Sequence, residues 1–154
     1  MADSDNASDY PTPLQDIVDL FETLPEQERR ENLMNFAQAA NHWEPKEGQS
    51  FDLEDDRKDA ECTDRVGIYI QVNDENETAL RVSLGPEVQT LTRAMTTILC
   101  RGLNGQSPIA ILNLSPDFIP RIIGEELIRM RSRTVYYILD RIKEAIRALQ
   151  NRNQ

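Results

Sequence analysis

The sequence is poor in the residues that build metal centres and disulfide frameworks. Among its 154 residues it has two cysteines, Cys62 and Cys100, and a single histidine, His42. Neither cysteine has a partner at metal-ligand spacing such as Cys-x-x-Cys, so a metal site is not expected. The acidic N-terminus does not resemble a secretory signal. Two free thiols without an export signal favour a reducing, cytoplasmic location.

Long apolar runs and an excess of positive charge are also missing. No hydrophobic stretch approaches the roughly 20 residues that a membrane-spanning helix needs, so no membrane partner is expected. The formal net charge is −10. Because a nucleic-acid-binding surface must be basic to neutralise phosphates, no nucleic-acid partner is expected either. Most of the excess negative charge lies in residues 1–60.

The composition predicts one folded domain preceded by a short tail. A chain of 154 residues is long enough to bury a core of its own. Residues 1–12 are small and acidic with little to bury, which predicts a disordered acidic tail. Residues 13–150 contain the apolar periodicity and are expected to form the domain.

Apolar residues at helical spacing predict two helices in the first quarter of the chain. Thr12, directly before Pro13, and Thr23, two residues before Pro25, mark the two starts, and the second helix is expected to end near Ala40. Residues 42–60 have much charge and no periodicity, which indicates a long loop. That loop delivers the chain to Cys62.

The remainder of the chain predicts a β-hairpin followed by helices. The β-rich segments Val66–Val72 and Ala79–Leu84, with a polar link between them, indicate two antiparallel strands. Helical segments are then expected to start near Gly85, Ser107 and Ser115, and the closing amphipathic helix carries apolar residues from Val135 to Leu149.

Few side chains in this pattern carry obvious chemistry. His42 stands beside Trp43 at a predicted helix end, where a surface or half-buried histidine is the commoner case. Cys100 lies at the edge of a helical apolar stripe, so we expect it to behave as an inert small hydrophobe. Cys62 follows the polar loop and precedes a strand, which places it at a predicted loop tip. From the residues alone, Cys62 is either an incidental surface thiol or a working one.

The order of these elements is similar to that of the SufE family, the sulfur-acceptor proteins of cysteine desulfurases in iron–sulfur cluster assembly. The similarity includes the helical segment at Leu24–Glu26, the cysteine that leads into a hairpin, and the turn Asn104–Pro108. It extends over about residues 14–150. The resemblance implies an α+β, SufE/IscU-like single domain with a small antiparallel sheet packed against helices.

The cysteine motif differs from the family pattern Gly-Cys-x-Ser-x-Val-Trp. Cys62 and Val66 match it, whereas Glu61, Asp64 and Gly67 replace the glycine, serine and tryptophan.

The Ser-Arg pair of the family, at the start of its last helix, has two possible counterparts. Matching the apolar stripe places its arginine at Arg131, and matching the dipeptide places it at Ser132–Arg133. We prefer Arg131.

The resemblance implies that Cys62 takes persulfide sulfur from a cysteine desulfurase and passes it to a downstream iron–sulfur scaffold. No cofactor of its own is implied, because pyridoxal phosphate belongs to the desulfurase. A nearby cation favours the reactive thiolate and a nearby carboxylate disfavours it. Arg65 or Arg131 would act in the first way and Asp64 in the second, and Arg133 is a further candidate for partner contact.

Two other functions remain open from the sequence. The replaced motif residues are compatible with a diverged, non-catalytic interaction module that binds a desulfurase-like partner. A redox-sensing thiol protein would need a resolving thiol for Cys62, which only Cys100 can supply.

Overall fold

The computed structural model describes residues 10–60 and 62–153. Helix α1 (Thr12–Thr23) and helix α2 (Glu26–Gln38) come first, and a short 3₁₀ helix (Ala39–Trp43) extends α2. Pro13 lies in the first turn of α1, where its missing N–H costs nothing. The predicted helical face of α1 is confirmed, because its four apolar residues are buried: Leu14, Ile17, Val18 and Phe21.

Three antiparallel strands form one sheet in the order β1 (Leu53–Arg57), β2 (Val66–Val72) and β3 (Thr78–Leu84). Ile70 at the centre of the sheet pairs with Leu53 on one side and with Leu80 on the other. Thr78, Leu80 and Val82 are buried along β3 and the residues between them are less so, as period-2 alternation requires. The predicted hairpin of β2 and β3 is therefore confirmed.

Strand β1 lies inside the segment that was predicted to be a loop. Its sequence, Leu-Glu-Asp-Asp-Arg, places one fully buried side chain, Leu53, towards the core. A mostly exposed edge strand is held by backbone hydrogen bonds, so its side chains carry no alternating signal. The prediction of a structureless loop over residues 42–60 is wrong for residues 53–57, and the segment that leads to Cys62 is correspondingly short.

Helices cover one face of the sheet. They are α3 (Thr90–Leu103), α4 (Pro108–Leu112), α5 (Phe118–Ile123) and α6 (Glu125–Arg152). Helix α3 is the most buried of them, and it packs against α1, α2, α6 and β3. Where α1 and α3 cross, a Cβ added to Gly102 would lie 3.0 Å from Leu14 Cβ, so glycine permits the close approach.

The starts of two helices differ from the prediction. Helix α3 begins at Thr90 rather than at Gly85, because the intervening residues form a turn in which the Val88 N–H donates to the Gly85 carbonyl (3.2 Å). Helix α6 begins at Glu125, ahead of the apolar stripe, and its path is interrupted at Arg131 (φ −134°, ψ 33°). The predicted start of α4 is confirmed, with the Ser107 hydroxyl accepting the Ala110 N–H.

The turn after α3 joins that helix to the sheet. Asn104 Oδ1 accepts the Leu80 N–H (2.8 Å), and Asn104 Nδ2 donates to the carbonyls of Leu80 (3.1 Å) and Cys100 (2.8 Å). Gly105 follows with φ +90°, a conformation that favours glycine. The Asn-Gly pair of the sequence is thus a structural connector.

The domain begins earlier than the predicted tail boundary at residue 12. Tyr10 is buried, its hydroxyl donates to Asp117 Oδ1 (2.6 Å), and its ring packs edge-on against Phe118. The prediction of disorder for residues 1–9 lies outside the described residues. Over the part of the chain that is described, no helix is long and apolar enough to cross a membrane.

Candidate functional site

Cys62 lies in the short connection between β1 and β2, and it is buried rather than exposed at a loop tip. Its exposed fraction is 9%, and its side chain joins the hydrophobic core. The Cys62 N–H donates to the Asp59 carbonyl (3.1 Å), which folds the connection back on itself. The sequence left open whether the Cys62 loop is buried, and contacts on both sides of Cys62 hold the segment against the fold.

The side that follows Cys62 is tied to the turn before α3. The Thr63 hydroxyl donates to the Glu87 carbonyl (2.6 Å). Asp64 accepts the Glu87 N–H at Oδ2 (2.8 Å) and the Arg65 N–H at Oδ1 (2.7 Å). These backbone hydrogen bonds from Glu87 and Arg65 hold the pKa of Asp64 below its ordinary value. Asp64 therefore acts as an anchor of the loop, with both carboxylate oxygens engaged by backbone donors.

The turn leaves room for Asp64 because residue 85 is glycine. A Cβ at Gly85 would lie 2.3 Å from Asp64 Cγ and 2.4 Å from Asp64 Oδ2. The Gly85 N–H also donates to the Arg65 carbonyl (2.9 Å). Asp64 and Gly85 are thus matched in size across the contact.

The four residues predicted to support Cys62 do not form one group. Asp64 and Arg65 share its loop, but Arg65 is directed to β1, where it donates to the Asp56 carbonyl (3.2 Å) and pairs with the Asp56 carboxylate (3.3 Å). Arg131 and Arg133 are exposed on α6 and line two different depressions.

Arg131 lines an apolar groove of about 600 Å³ between α2, α3 and α6. Its remaining lining residues are Arg30, Leu33, Met34, Gln89, Thr90, Leu91, Ala94 and Leu127. Met34 is 50% exposed at this groove and Met130, on the adjoining surface, is 66% exposed. Gln89 follows Glu87 by two residues, so the groove begins beside the turn that holds the Cys62 loop. The exposed methionines were a signal that the sequence reading missed.

Arg133 lines an open cleft of about 740 Å³ between β1 and α6. The same cleft exposes Asp59 and Tyr137, whose hydroxyl donates to Asp59 Oδ2 (2.8 Å). Behind them lies Arg141, which is 2% exposed. Sequence reasoning also missed this group, because position 141 lies outside the apolar stripe of α6, where a charged residue is expected to be exposed.

The geometry supports no reactive or metal-binding role for Cys100 or His42. Cys100 is fully buried in α3, and burial raises the pKa of its thiol far above its ordinary value. His42 is exposed, with its ring edge-on to Trp43 at 5.2 Å. Among residues 10–60 and 62–153, no three His, Cys, Asp or Glu side chains are grouped so as to hold a metal.

A three-stranded antiparallel sheet, a helical layer and a shielded loop thiol define a small α+β domain. Residues 15–146 match the SufE family, described as an Fe-S metabolism associated domain. The chain therefore belongs to the SufE family, and its domain is one associated with iron–sulfur metabolism.

The fold also has a counterpart among solved structures. The chain is similar to a hypothetical protein from Thermus thermophilus, whose structure was determined in solution, with a TM-score of 0.68 and 23% sequence identity. The similarity covers 92% of this chain and 98% of the other. No curated protein matches the sequence. At this identity the structural match establishes the α+β fold alone.

Proposed function

We propose that Cys62 is a sulfur acceptor that takes persulfide sulfur from a cysteine desulfurase and passes it to iron–sulfur cluster assembly. The proposal rests on family membership and on the different positions and exposures of the two thiols in this SufE-family chain. Cys62 lies in a surface loop with 9% exposure, whereas Cys100 is 0% exposed inside α3. A small movement of the loop presents Cys62, but Cys100 is reached only by unfolding.

The transfer step is an exchange at sulfur. The Cys62 thiolate attacks the outer sulfur of the desulfurase persulfide, so that a new S–S bond forms and the donor S–S bond breaks. The donor cysteine leaves as a thiolate and takes up a proton, while Cys62 has released one. There is no net oxidation. Pyridoxal phosphate, which makes the persulfide, would be held by the partner.

The apolar groove gives the proposed partner a place to bind next to Cys62. Its floor is apolar and its rim carries Arg30 and Arg131. Arg131 has no ion pair among the described residues. In a chain with net charge −10, this rim favours a partner segment that combines apolar and acidic side chains. The loop turn and the groove are contiguous, so binding here would bring the partner to the thiol.

A non-catalytic interaction module is the second candidate, and two observations favour it. The thiol is shielded in the described conformation, and the serine of the family motif is Asp64, an anchor of the loop. Such a module would use the groove without sulfur transfer. The redox-pair alternative has less support, since both cysteines are free and Cys100 is enclosed in the core.

Intact mass spectrometry separates these functions. We expect the protein to gain one sulfur, about 32 Da, after incubation with a cysteine desulfurase, pyridoxal phosphate and cysteine in the absence of reductant. The gain should disappear in Cys62→Ser and persist in Cys100→Ser.

Absence of the gain, with the desulfurase turning over and loading a control acceptor, would reject the transfer function for that partner. Retained binding of Cys62→Ser to the desulfurase would then identify an interaction module. A Cys62–Cys100 disulfide under mild oxidant would instead identify a redox pair.

A further inference from the structure

A cluster of four charged residues and one tyrosine joins the Cys62 loop to strand β1 and helix α6. We call it the ionic latch, and its members are Asp55, Arg57, Asp59, Tyr137 and Arg141. Asp55 and Arg57 belong to β1, and Tyr137 and Arg141 belong to α6. Asp59 alone among these five lies in the connection between β1 and β2 that contains Cys62.

Arg141 is the fixed part of the latch. Its Nη2 donates to the carbonyls of Asp55 (2.7 Å) and Val66 (2.9 Å), and its Nη1 donates to the Tyr137 hydroxyl (2.6 Å). With 2% exposure it is one of the few buried charges of the described chain. These bonds tie its guanidinium to the two strands that border the Cys62 loop.

Asp59 is the member of the latch that belongs to the Cys62 loop. Its Oδ1 accepts from Arg57 Nε (2.9 Å), and its Oδ2 accepts from the Tyr137 hydroxyl (2.8 Å) and lies 3.5 Å from Arg141 Nη1. The Asp59 carbonyl accepts the Cys62 N–H at 3.1 Å. One residue therefore binds the fixed charges through its side chain and the thiol segment through its backbone.

We propose that Asp59 is a positioning residue that holds the Cys62 loop closed, and that release of its carboxylate exposes the thiol for sulfur transfer. The consequence for transfer rests on the proposed function, whereas control of thiol exposure does not. Both sides of the loop use an ionised carboxylate, but the Asp59 bonds are partly buried and the Asp64 bonds are exposed, and such bonds are stronger where solvent is excluded. The Asp59 side therefore limits opening more than the Thr63 and Asp64 side does.

The cleft beside α6 makes such release possible without unfolding. Asp59, Arg57, Tyr137 and Arg141 all line this open cleft of about 740 Å³. Water can thus replace the carboxylate at its donors, while Arg141 keeps its bonds to the strands.

The rate at which iodoacetamide labels Cys62 in the full chain measures this closure. We expect Asp59→Asn to raise that rate about tenfold, because the substitution removes the charge from two strong hydrogen bonds. Tyr137→Phe removes one of the two bonds and should raise it about threefold. Peptide mapping assigns each adduct to Cys62 or Cys100.

Asp55→Asn is the matched control. It removes a carboxylate from the same cluster, where Asp55 contacts Arg57 Nη1 (2.9 Å) and Arg141 Nη2 (3.5 Å), but Asp55 has no bond to the Cys62 segment. We expect its Cys62 labelling to stay within about twofold of the parent rate, which is the effect of a weak surface pair.

Cys100 reports global unfolding in the same samples, because it is fully enclosed. Faster labelling of Cys62 alone in Asp59→Asn supports the latch. Equal rates in the Asp59 and Asp55 variants would overturn it, and so would a parallel rise at Cys100. Because no desulfurase is present, these results are independent of the mass experiment, so failure of the latch and failure of sulfur transfer are distinguishable.

Discussion

Asp64 illustrates how a single residue in a motif can change its role. By sequence it is a carboxylate two positions from a thiol, which predicts that it disfavours the thiolate. In the structure both of its oxygens accept backbone N–H groups, from Glu87 and from Arg65. Its negative charge is thus used to order the loop, and the contact with Gly85 sets how closely the loop can approach the turn.

Gly85→Ala is expected to loosen this anchor. The added Cβ would lie 2.3 Å from Asp64 Cγ, so one of the two must move. We expect the free energy of unfolding to fall, because Asp64 can avoid the Cβ only by leaving the backbone N–H groups of Glu87 and Arg65. Urea denaturation followed by circular dichroism measures this loss.

The double variant tests the cause of that loss. In an Asp64→Ala background the clash is absent, so Gly85→Ala should cost less than half as much. Equal costs in the two backgrounds would show that the steric contact with Asp64 is not responsible.

At the scale of elements, the kink in α6 separates two surfaces. Arg131 has non-helical dihedral angles and lines the apolar groove, whereas Arg133, two residues later, lines the cleft against β1. From the sequence, either arginine could correspond to the arginine of the family's Ser-Arg pair, and Arg131 was preferred. Their different surroundings give them different expected roles in partner binding.

Charge reversal distinguishes the two arginines. We expect Arg131→Glu to weaken desulfurase binding about tenfold, because it places a carboxylate on a rim that favours acidic partner residues. Arg133→Glu makes the same change on the same helix and should leave the affinity nearly unchanged. Titration calorimetry of each variant with the desulfurase measures both. A larger loss in Arg133→Glu would assign partner binding to the cleft instead.

At the scale of the whole molecule, the latch makes stability depend on pH. Burial opposes ionisation of Asp59, but hydrogen bonds from Arg57 and Tyr137 hold its pKa below the ordinary value of 3.8. A lowered pKa in the folded state stabilises the protein above the unfolded pKa, and this contribution is lost as the pH falls through the folded value. The stability contributed by Asp59 is therefore lost as the pH falls below about 4.

Asp59→Asn is expected to flatten this acid dependence. At pH 7 the variant should unfold at lower urea concentration than the parent, and the difference between them should shrink between about pH 4 and pH 2.5. Denaturation midpoints at several pH values in this range provide the measurement. A constant difference across the range would contradict the assignment of the titrating carboxylate to Asp59.

The prediction from sequence succeeded where the chain's own periodicity determines the structure. The stripe of α1 and the hairpin of β2 and β3 bury their apolar side chains because helices and strands repeat with fixed periods. It failed at β1, because an edge strand forms through backbone pairing with β2, which no side-chain pattern of Leu53–Arg57 reveals.

By itself, the sequence determined the family, the α+β class and the choice of Cys62 as the candidate thiol. The class depends on local periodicity, whereas the family and the choice of Cys62 depend on the resemblance of short motifs to the family pattern. Tertiary structure alone decided that Cys62 is shielded, that Arg131 and Arg133 face different surfaces, and that Asp59 meets Tyr137 and Arg141. The reason is physical: the Asp59–Tyr137 hydrogen bond joins residues 78 positions apart, and such contacts form only when the sheet and the last helix pack together.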